Sequence, residues 1–582
     1  MPDRFQVYLI KPTRYDDEGY PLQWWRSLIP NNSLACMAAI VEDAFERGVL
    51  GDVPHDLHII DEINTRVAVK DIVRSIQRQG GRCFIGLVGV QSNQFPRALD
   101  LAREFRAAGL PTCIGGFHVS GCLSMLKQLP PEFDEMAKLG ISIFAGEAED
   151  ARIDQVLIDA YNGALQPVYN YLKDTPNIAG APVPHLPIEQ VKRNFAKYGS
   201  FDLGRGCPFE CTFCTIINVQ GRKSRFRTPD DLEAIVRANA AQGISRFFLT
   251  DDNFARNKNW RAFTDRLIAL KNEGLPVRLV IQVDVLAHRV PGFVEQCHEA
   301  GCDQIFIGLE NINADNLEAS KKRQNRVEDY RAMILAWKQY PVVITCGYII
   351  GFPNDTYQSI LNDIAIIKEE LAIDTLYMNY LTPLPGSEDH KRMYEAGEWM
   401  DPDLSKYDLN HRVTRHPRMT DEEWDRAYRD AYASFYSWEH MERVLKRLVA
   451  LGSNKRLTTL NRLMAYREAV RMEGVAKLES GWIRIRRRRQ RRPDLPIESV
   501  YTFYPRHLRH VARSLAVQMH TWWRLRRMLR AIMKDPARLD YSDRAIEPVE
   551  GLGEELHLLS DTRSTPIADK RRAEAKAQPA AA

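Results

Sequence analysis

Apolar positions along this chain follow two rhythms, and the change between them divides it. From residue 5, short apolar runs bounded by Gly, Pro or charged residues alternate with stretches of helical spacing. The runs at 5–10, 57–60, 84–90, 112–116 and 141–144 are too short for helices and have no polar face, so they read as buried strands. Between them, 97–108 repeats with a helical period. Strand and helix in alternation predict a doubly wound parallel sheet, whose ligands sit in the loops at the carboxyl ends of the strands. Those loops carry Ser92, Asn93 and Gln94, then Gly115, Gly116, Phe117 and His118, then Gly146 and Glu147.

Four prolines at Pro176, Pro182, Pro184 and Pro187 resist both helix and central strand and mark an extended linker. The alternation then resumes, with strands predicted at 246–249, 277–283, 304–308 and 342–350 and a helix at 229–242. Past residue 400 the strand signal fades. Helices are predicted at 420–451 and 456–478, the first opened by a capping box from Thr420 to Glu423. The expected division is an α/β domain at 1–165, a linker at 166–198, a second α/β unit at 199–400, a helical basic region at 401–545 and a largely disordered tail at 546–582.

Length and composition fit several ordinary globular domains: 582 residues, 45% hydrophobic and 27% charged. No apolar run reaches the ~18 residues of a membrane span, and the first residues, Met1-Pro2-Asp3-Arg4-Phe5, lack a signal-peptide pattern. With ten cysteines ending at Cys346, mostly scattered, a reducing cytoplasm is expected and a disulfide framework is not. A net charge of +4 gives no global pull toward nucleic acid. Locally the C-terminal third is basic: seven arginines lie among Arg484–Arg492, and Trp522-Trp523 stand beside Arg524, Arg526, Arg527 and Arg530. A solvated or disordered arm is the plainest reading. Peripheral contact with an anionic membrane, suited to a lipid substrate, is the second, and nucleic acid the weakest.

Candidate chemistry concentrates at residues 207–214, Cys-Pro-Phe-Glu-Cys-Thr-Phe-Cys. Three thiols this close can converge on one metal centre. A structural zinc site wants four ligands, and neither His185 upstream nor anything soon after Cys214 supplies the fourth. A disulfide would leave one thiol over. Iron–sulfur clusters take cysteine thiolates, normally four, so three leave one iron open for another ligand.

The spacing of Cys207, Cys211 and Cys214, with Phe213 just before the third cysteine, resembles the signature of the radical S-adenosylmethionine (radical SAM) superfamily. Gly204-Arg205-Gly206 before it and Arg225-Phe226-Arg227-Thr228-Pro229 after it are similar too. The resemblance implies a partial (β/α) barrel at 199–400, a 4Fe-4S cluster on the three cysteines, and S-adenosyl-L-methionine chelated at the open iron. One electron would then split the sulfonium and release a 5′-deoxyadenosyl radical. Contacts implied for S-adenosylmethionine are Phe213, Asp251, Asp252, Gln282, Asp284, Glu310, Gly347 and Gly351. Thr250–Phe254 departs from the family's Gly-Gly-Glu, although acidic residues remain, and each acid alone could be a helix N-cap.

Residues 89–94, 114–118 and 145–149 resemble the cobalamin-binding domain that precedes the barrel in one large subgroup, which implies cobalamin contacts at Ser92, Asn93, Gln94, Gly115, Gly116, Phe117, His118, Gly146 and Glu147. No histidine of an Asp-x-His-x-x-Gly motif is present. Asp56-Leu57-His58 is followed by Asp61 instead of glycine, and His58 falls inside a strand as a core or edge residue. The implied activity is a cobalamin-dependent methyltransferase acting on an unactivated carbon (or phosphorus) of a small molecule or lipid, fed by an external one-electron reductant of flavodoxin or ferredoxin type. The alternatives are a cobalamin-containing oxidoreductase or cyclase without methyl transfer, and a non-enzymatic corrin- or metal-binding sensor.

Overall fold

The computed structural model describes residues 4–195, 197–548 and 556. Of the tail expected at 546–582, all but 546–548 and Leu556 lies outside the described residues.

The N-terminal strands are β1 (Phe5–Lys11), β2 (Gln23–Ser27), β3 (His55–Asp61), β4 (Cys83–Leu87), β5 (Thr112–Gly115), β6 (Ser142–Ala145) and β7 (Val168–Asn170). Six of them form a parallel sheet in the order β3-β1-β4-β5-β6-β7. Alternation of side chains along β1 shows why both faces are covered. Phe5, Val7 and Leu9 join one core with Leu34 and Val41 of the helix Asn32–Glu46, while Tyr8 and Ile10 join another with Leu99 and Leu101 of the helix Phe95–Ala107. His58 lies on the edge strand β3, stacked on Tyr8 at 4.2 Å. The proline-rich connector is held by Arg227, which donates to the carbonyl oxygens of Ala181 at 2.9 Å and Asp202 at 3.0 Å.

The second unit contains β8 (Tyr198–Phe201), β9 (Gly204–Arg205), β10 (Arg225–Phe226), β11 (Arg246–Leu249), β12 (Arg278–Val283), β13 (Cys302–Glu310), β14 (Val343–Ile350) and β15 (Thr375–Tyr380). Here too six strands run parallel, in the order β15-β14-β13-β12-β11-β8, and the sheet does not close on itself. Ile281, Ile305, Ile307, Ile344 and Leu376 face the covering helices and are buried. Their neighbours on the other face, among them Gln282, Phe306 and Tyr377, stay partly exposed. An open barrel whose inner face is partly accessible has this signature. β9 and β10 pair antiparallel beside it.

Beyond the barrel, the helix expected at 420–451 is two, Asp421–Phe435 and Trp438–Ala450, with Thr420 and Ser437 each capping. The chain next forms the helix Arg456–Glu468 and returns to the N-terminal unit, where β16 (Gly481–Ile485) pairs antiparallel with β2. This overturns the reading of the arginine run as a solvated arm. Arg484 and Arg486 pair with Asp16 at 2.6 and 2.8 Å, Arg486 with Glu18 at 2.6 Å, and Arg492 with Asp403 at 2.9 Å. The run is a seam between the two ends of the chain. A long helix, Val500–Lys534, follows, seated through Leu525, Leu529 and Ile532. No helix among the described residues is long and apolar enough to cross a membrane.

Candidate functional site

The cysteine loop leaves the barrel after β8 and β9. Gly206, at φ +85°, makes the turn into it, where a Cβ would stand 2.9 Å from the carbonyl oxygens of Gly221 and Lys223. Cys207 N–H donates to Gly221 O at 3.3 Å and Cys214 N–H to Cys211 O at 3.1 Å. Thr212 is clamped from two sides, its N–H on Ser320 O at 3.1 Å and its hydroxyl on Asp389 at 3.0 Å. Cys211 is buried; Cys207 and Cys214 are partly exposed. Among the described residues no three His, Cys, Asp or Glu side chains converge on a single ion. Three cysteine thiolates are donors of the kind an iron–sulfur cluster takes. Burial pushes the Cys214 thiol up to about 12 and raises Cys207 as well. A coordinating metal deprotonates such thiols.

One cation attends them. Lys322 Nζ stands 2.9 Å from Glu310 Oε1 and 5.8 Å from the centre of the Phe213 ring. Burial opposes its charge, but Glu310, Cys211 and Cys214 together hold it above the usual lysine range. Gln324 Nε2 lies 3.6 Å from Cys211 Sγ. Sequence reasoning missed both residues, because Lys321 through Arg323 reads as surface charge.

The residues expected to hold S-adenosylmethionine are spread over the strand ends and do different work. Asp251 is buried, accepting from Leu203 N–H at 2.6 Å, and Gln282 donates to its carbonyl oxygen at 3.2 Å. Asp252 lines a small recess with Gly204, Gly206 and Pro208, beside the cysteine loop. Burial first, then the charges of Asp251 and Asp202, pushes Asp252 up to about 7; burial likewise pushes Asp251 up to about 7. Asp284 is taken by Arg256 at 2.6 and 3.0 Å and by Asn253 at 2.9 Å. Glu310, at φ +63° where β13 shifts register against β14, holds Lys322. Gly347 and Gly351 answer to packing: a Cβ at either would strike the Phe306 ring at 2.9 Å or the Trp424 indole at 2.1 Å. Phe213 meets Phe352 edge-on at 6.4 Å.

At the carboxyl ends of β4, β5 and β6 lies a cleft, partly open to solvent. Gly115, Gly116, Phe117, Gly146 and Glu147 line it, together with Asn32 and Ser120. Its far wall is Arg205, Val219 and Gln220, which flank the cysteine loop. Arg205 binds Glu147 at 2.7 Å, Glu149 at 2.6 Å and Asp202 at 2.8 Å, and Arg225 binds Glu147 at 2.6 Å. Ser92, Asn93, Gln94 and His118 are not among the lining residues. His118 is buried with Nδ1 3.2 Å from Ser92 Oγ, Asn93 donates to Glu479 at 2.8 Å, and Gln94 accepts from Lys11. Among the described residues no histidine lines the cleft.

An open parallel barrel thus carries three loop thiols at one strand end, behind a doubly wound unit with its own cleft. Residues 202–367 match the radical SAM superfamily, and the chain carries a radical SAM domain there. Among curated relatives, the bacteriochlorophyllide d C-8(2)-methyltransferase of Chlorobaculum tepidum is 26% identical over 370 residues, covering 61% of this chain and 78% of that protein. The hopanoid C-2 methylase of Rhodopseudomonas palustris is 26% identical over 319 residues, 54% of this chain and 57% of its own length. Two solved structures share the fold. The cobalamin-dependent S-adenosylmethionine radical enzyme OxsB, with aqua-cobalamin bound, aligns at TM-score 0.52 and 14% identity over 98% of this chain and 84% of its own. The radical S-adenosylmethionine methyltransferase TsrM of Kitasatospora setae aligns at 0.51 and 15%, over 67% and 76%.

Proposed function

We propose that this protein is a cobalamin-dependent radical SAM methyltransferase acting on an unactivated carbon (or phosphorus) of a small molecule or lipid. One observation carries the reading: the N-terminal cleft and the cysteine loop share a wall, since Arg205, Val219 and Gln220 line the first and flank the second. Cys207, Cys211 and Cys214 would hold a 4Fe-4S cluster, Asp252 and the neighbouring strand ends S-adenosylmethionine, and the cleft a corrin. Bound there, the cluster supplies the electron that cleaves the sulfonium, and the corrin a transferable methyl group. The chain's own part is to place the two beside one lumen, to set Lys322 against the negative thiolates, and to keep water from the buried Cys211.

The relatives act on a bacteriochlorophyllide and a hopanoid; an apolar substrate fits the same reading here. A cytoplasmic setting with a flavodoxin- or ferredoxin-type reductant goes with it. Peripheral membrane contact goes to the outward face of the helix Val500–Lys534, because Arg484, Arg486, Arg487, Arg488, Arg491 and Arg492 are held by the chain's own groups.

Anaerobic reconstitution with iron, sulfide and hydroxocobalamin tests the reading. Cluster and corrin absorbance should both appear, and Cys211→Ala should lose the first while keeping the second. In turnover, S-adenosylhomocysteine with 5′-deoxyadenosine is the expected pair. 5′-Deoxyadenosine alone would make the protein an oxidoreductase or cyclase instead, and neither product would point to a sensor.

A further inference from the structure

Interior cations in this chain mostly have carboxylate partners or, like Arg227 and Lys11, several carbonyl acceptors. Arg14 has Asp408 and Glu479, Arg97 has Glu62, Lys338 has Asp374 and Arg447 has Asp543. Two part-buried cations beside the barrel break the habit. Arg462, on the helix Arg456–Glu468, donates Nη1 to Thr345 Oγ1 at 3.2 Å. Thr345 alternates along β14 with the helix-facing Ile344 and Cys346, so Arg462 reaches the lumen side of the sheet. Lys477 has Ser480 Oγ, at 3.4 Å, as its hydrogen-bond acceptor. Among the described residues neither is in an ion pair. Glu479, two residues from Lys477, is taken by Arg14 and Asn93. Burial, and then the Arg462 charge, pushes Lys477 down to about 8. Two cations with one hydroxyl acceptor each keep donors free for an anion.

What lies beside them is aromatic. Phe306 meets Tyr377 at 6.4 Å and Tyr377 meets Tyr466 at 6.3 Å, a wall from β13 to the helix that carries Arg462. On the lumen face, Phe306, Tyr377 and Asn379 remain partly exposed.

We propose that Arg462 and Lys477 bind the anionic group, carboxylate or phosphate, of a substrate whose apolar or aromatic body lies along Phe306, Tyr377 and Tyr466. The proposal rests on the reading of the lumen as the substrate chamber of the enzyme described above, and it adds the charge and position of one substrate group. Guanidinium and ammonium suit both anions.

The test uses the full chain without cluster or corrin and three probes of one shape: 1-naphthoate, 1-naphthyl phosphate and the neutral 1-naphthylmethanol. Calorimetric titration should show one of the two anions binding about tenfold or more tighter than the alcohol, and the tighter anion identifies the group. Arg462→Met and Lys477→Met should each bring anion binding down toward that of the alcohol, with alcohol binding and thermal unfolding unchanged. Lys477→Arg should keep the preference, and it decides the matter with Arg462→Gln where Lys477→Met does not fold. Equal binding of all three probes, or a preference for anions that survives both Met variants, overturns the proposal. No turnover is involved, so an absence of methyl transfer leaves this site standing, and loss of the site leaves the methyltransferase reading intact.

Discussion

Lys322 shows how much of the site rests on single charges. It and Glu310 are each 14% exposed in their side chains, and the thiols of Cys211 and Cys214 lie within its field. Lys322→Met would leave the Glu310 carboxylate unpaired beside developing thiolates. Urea unfolding should register a loss of about 3 kcal/mol, and iron bound after reconstitution should fall below that of the parent protein. Glu310→Gln, which removes the repelling charge, should retain more iron than Lys322→Met; the reverse order would show that Lys322 serves packing alone. Gly351 is the steric counterpart. Its φ of +101° disfavours a side chain, and a Cβ would stand 2.1 Å from Trp424. Gly351→Ala should cost about 3 kcal/mol or more, and adding Trp424→Ala should return part of it in a double-mutant cycle. Simple additivity there would mean the indole is not the obstacle. The glycine was visible in the sequence as a strand-end motif, but its partner was not, because Trp424 lies on a helix far along the chain.

At the scale of elements, what the sequence disclosed follows the range of the interaction. Apolar runs announced β1, β4 and β11 through β14 because a buried parallel strand is written in a few adjacent residues. The pairing of β16 with β2 joins segments more than 400 positions apart, and the acids that bind Arg484 and Arg486 are Asp16 and Glu18. No local pattern distinguishes such arginines from solvated ones. The same limit applied at the site, where the three cysteines were legible from spacing and Lys322, Gln324 and Arg205's carboxylate partners were not. A second long-range seam has a pH signature. Asp408 receives Arg14 at 2.8 Å and His411 at 2.9 Å, and His411 also reaches Asp17 at 3.2 Å. Burial opposes the imidazolium, but hydrogen bonds to Asp17 and Asp408 prevail and raise His411 from 6.5 to about 10. A group raised in the folded state stabilises fully below its unfolded value and less as pH climbs through its folded value. His411→Gln should therefore lower the melting temperature most at pH 6.5 and below, with the gap to the parent protein closing toward pH 10. A gap independent of pH would assign His411 a neutral, purely steric role.

At the scale of the whole molecule, one surface is turned outward without a partner among the described residues. Between Val500 and Lys534 there is no Asp or Glu. Tyr501 is 87% exposed, Leu508 66%, Met519 65% and Trp523 55%, and with Tyr504, Ala512 and Ala516 they recur every three or four residues as one stripe. Arg509, Arg513 and Arg530 are exposed on the same helix. Aromatic and aliphatic side chains flanked by arginines suit the boundary between headgroups and acyl chains of an anionic bilayer, where each cation near the surface adds about 1 kcal/mol. An enzyme held there would meet a lipid-soluble substrate without a membrane span. The full-length protein should co-sediment with vesicles containing phosphatidylglycerol and not with pure phosphatidylcholine, and raised salt should weaken the association. Leu508→Ser with Trp523→Ser should release it at low salt, while Arg509→Gln with Arg513→Gln should act mainly by reducing the preference for anionic lipid. Equal binding to neutral vesicles by the parent protein, or binding indifferent to both pairs of substitutions, would remove the bilayer as the partner of this face.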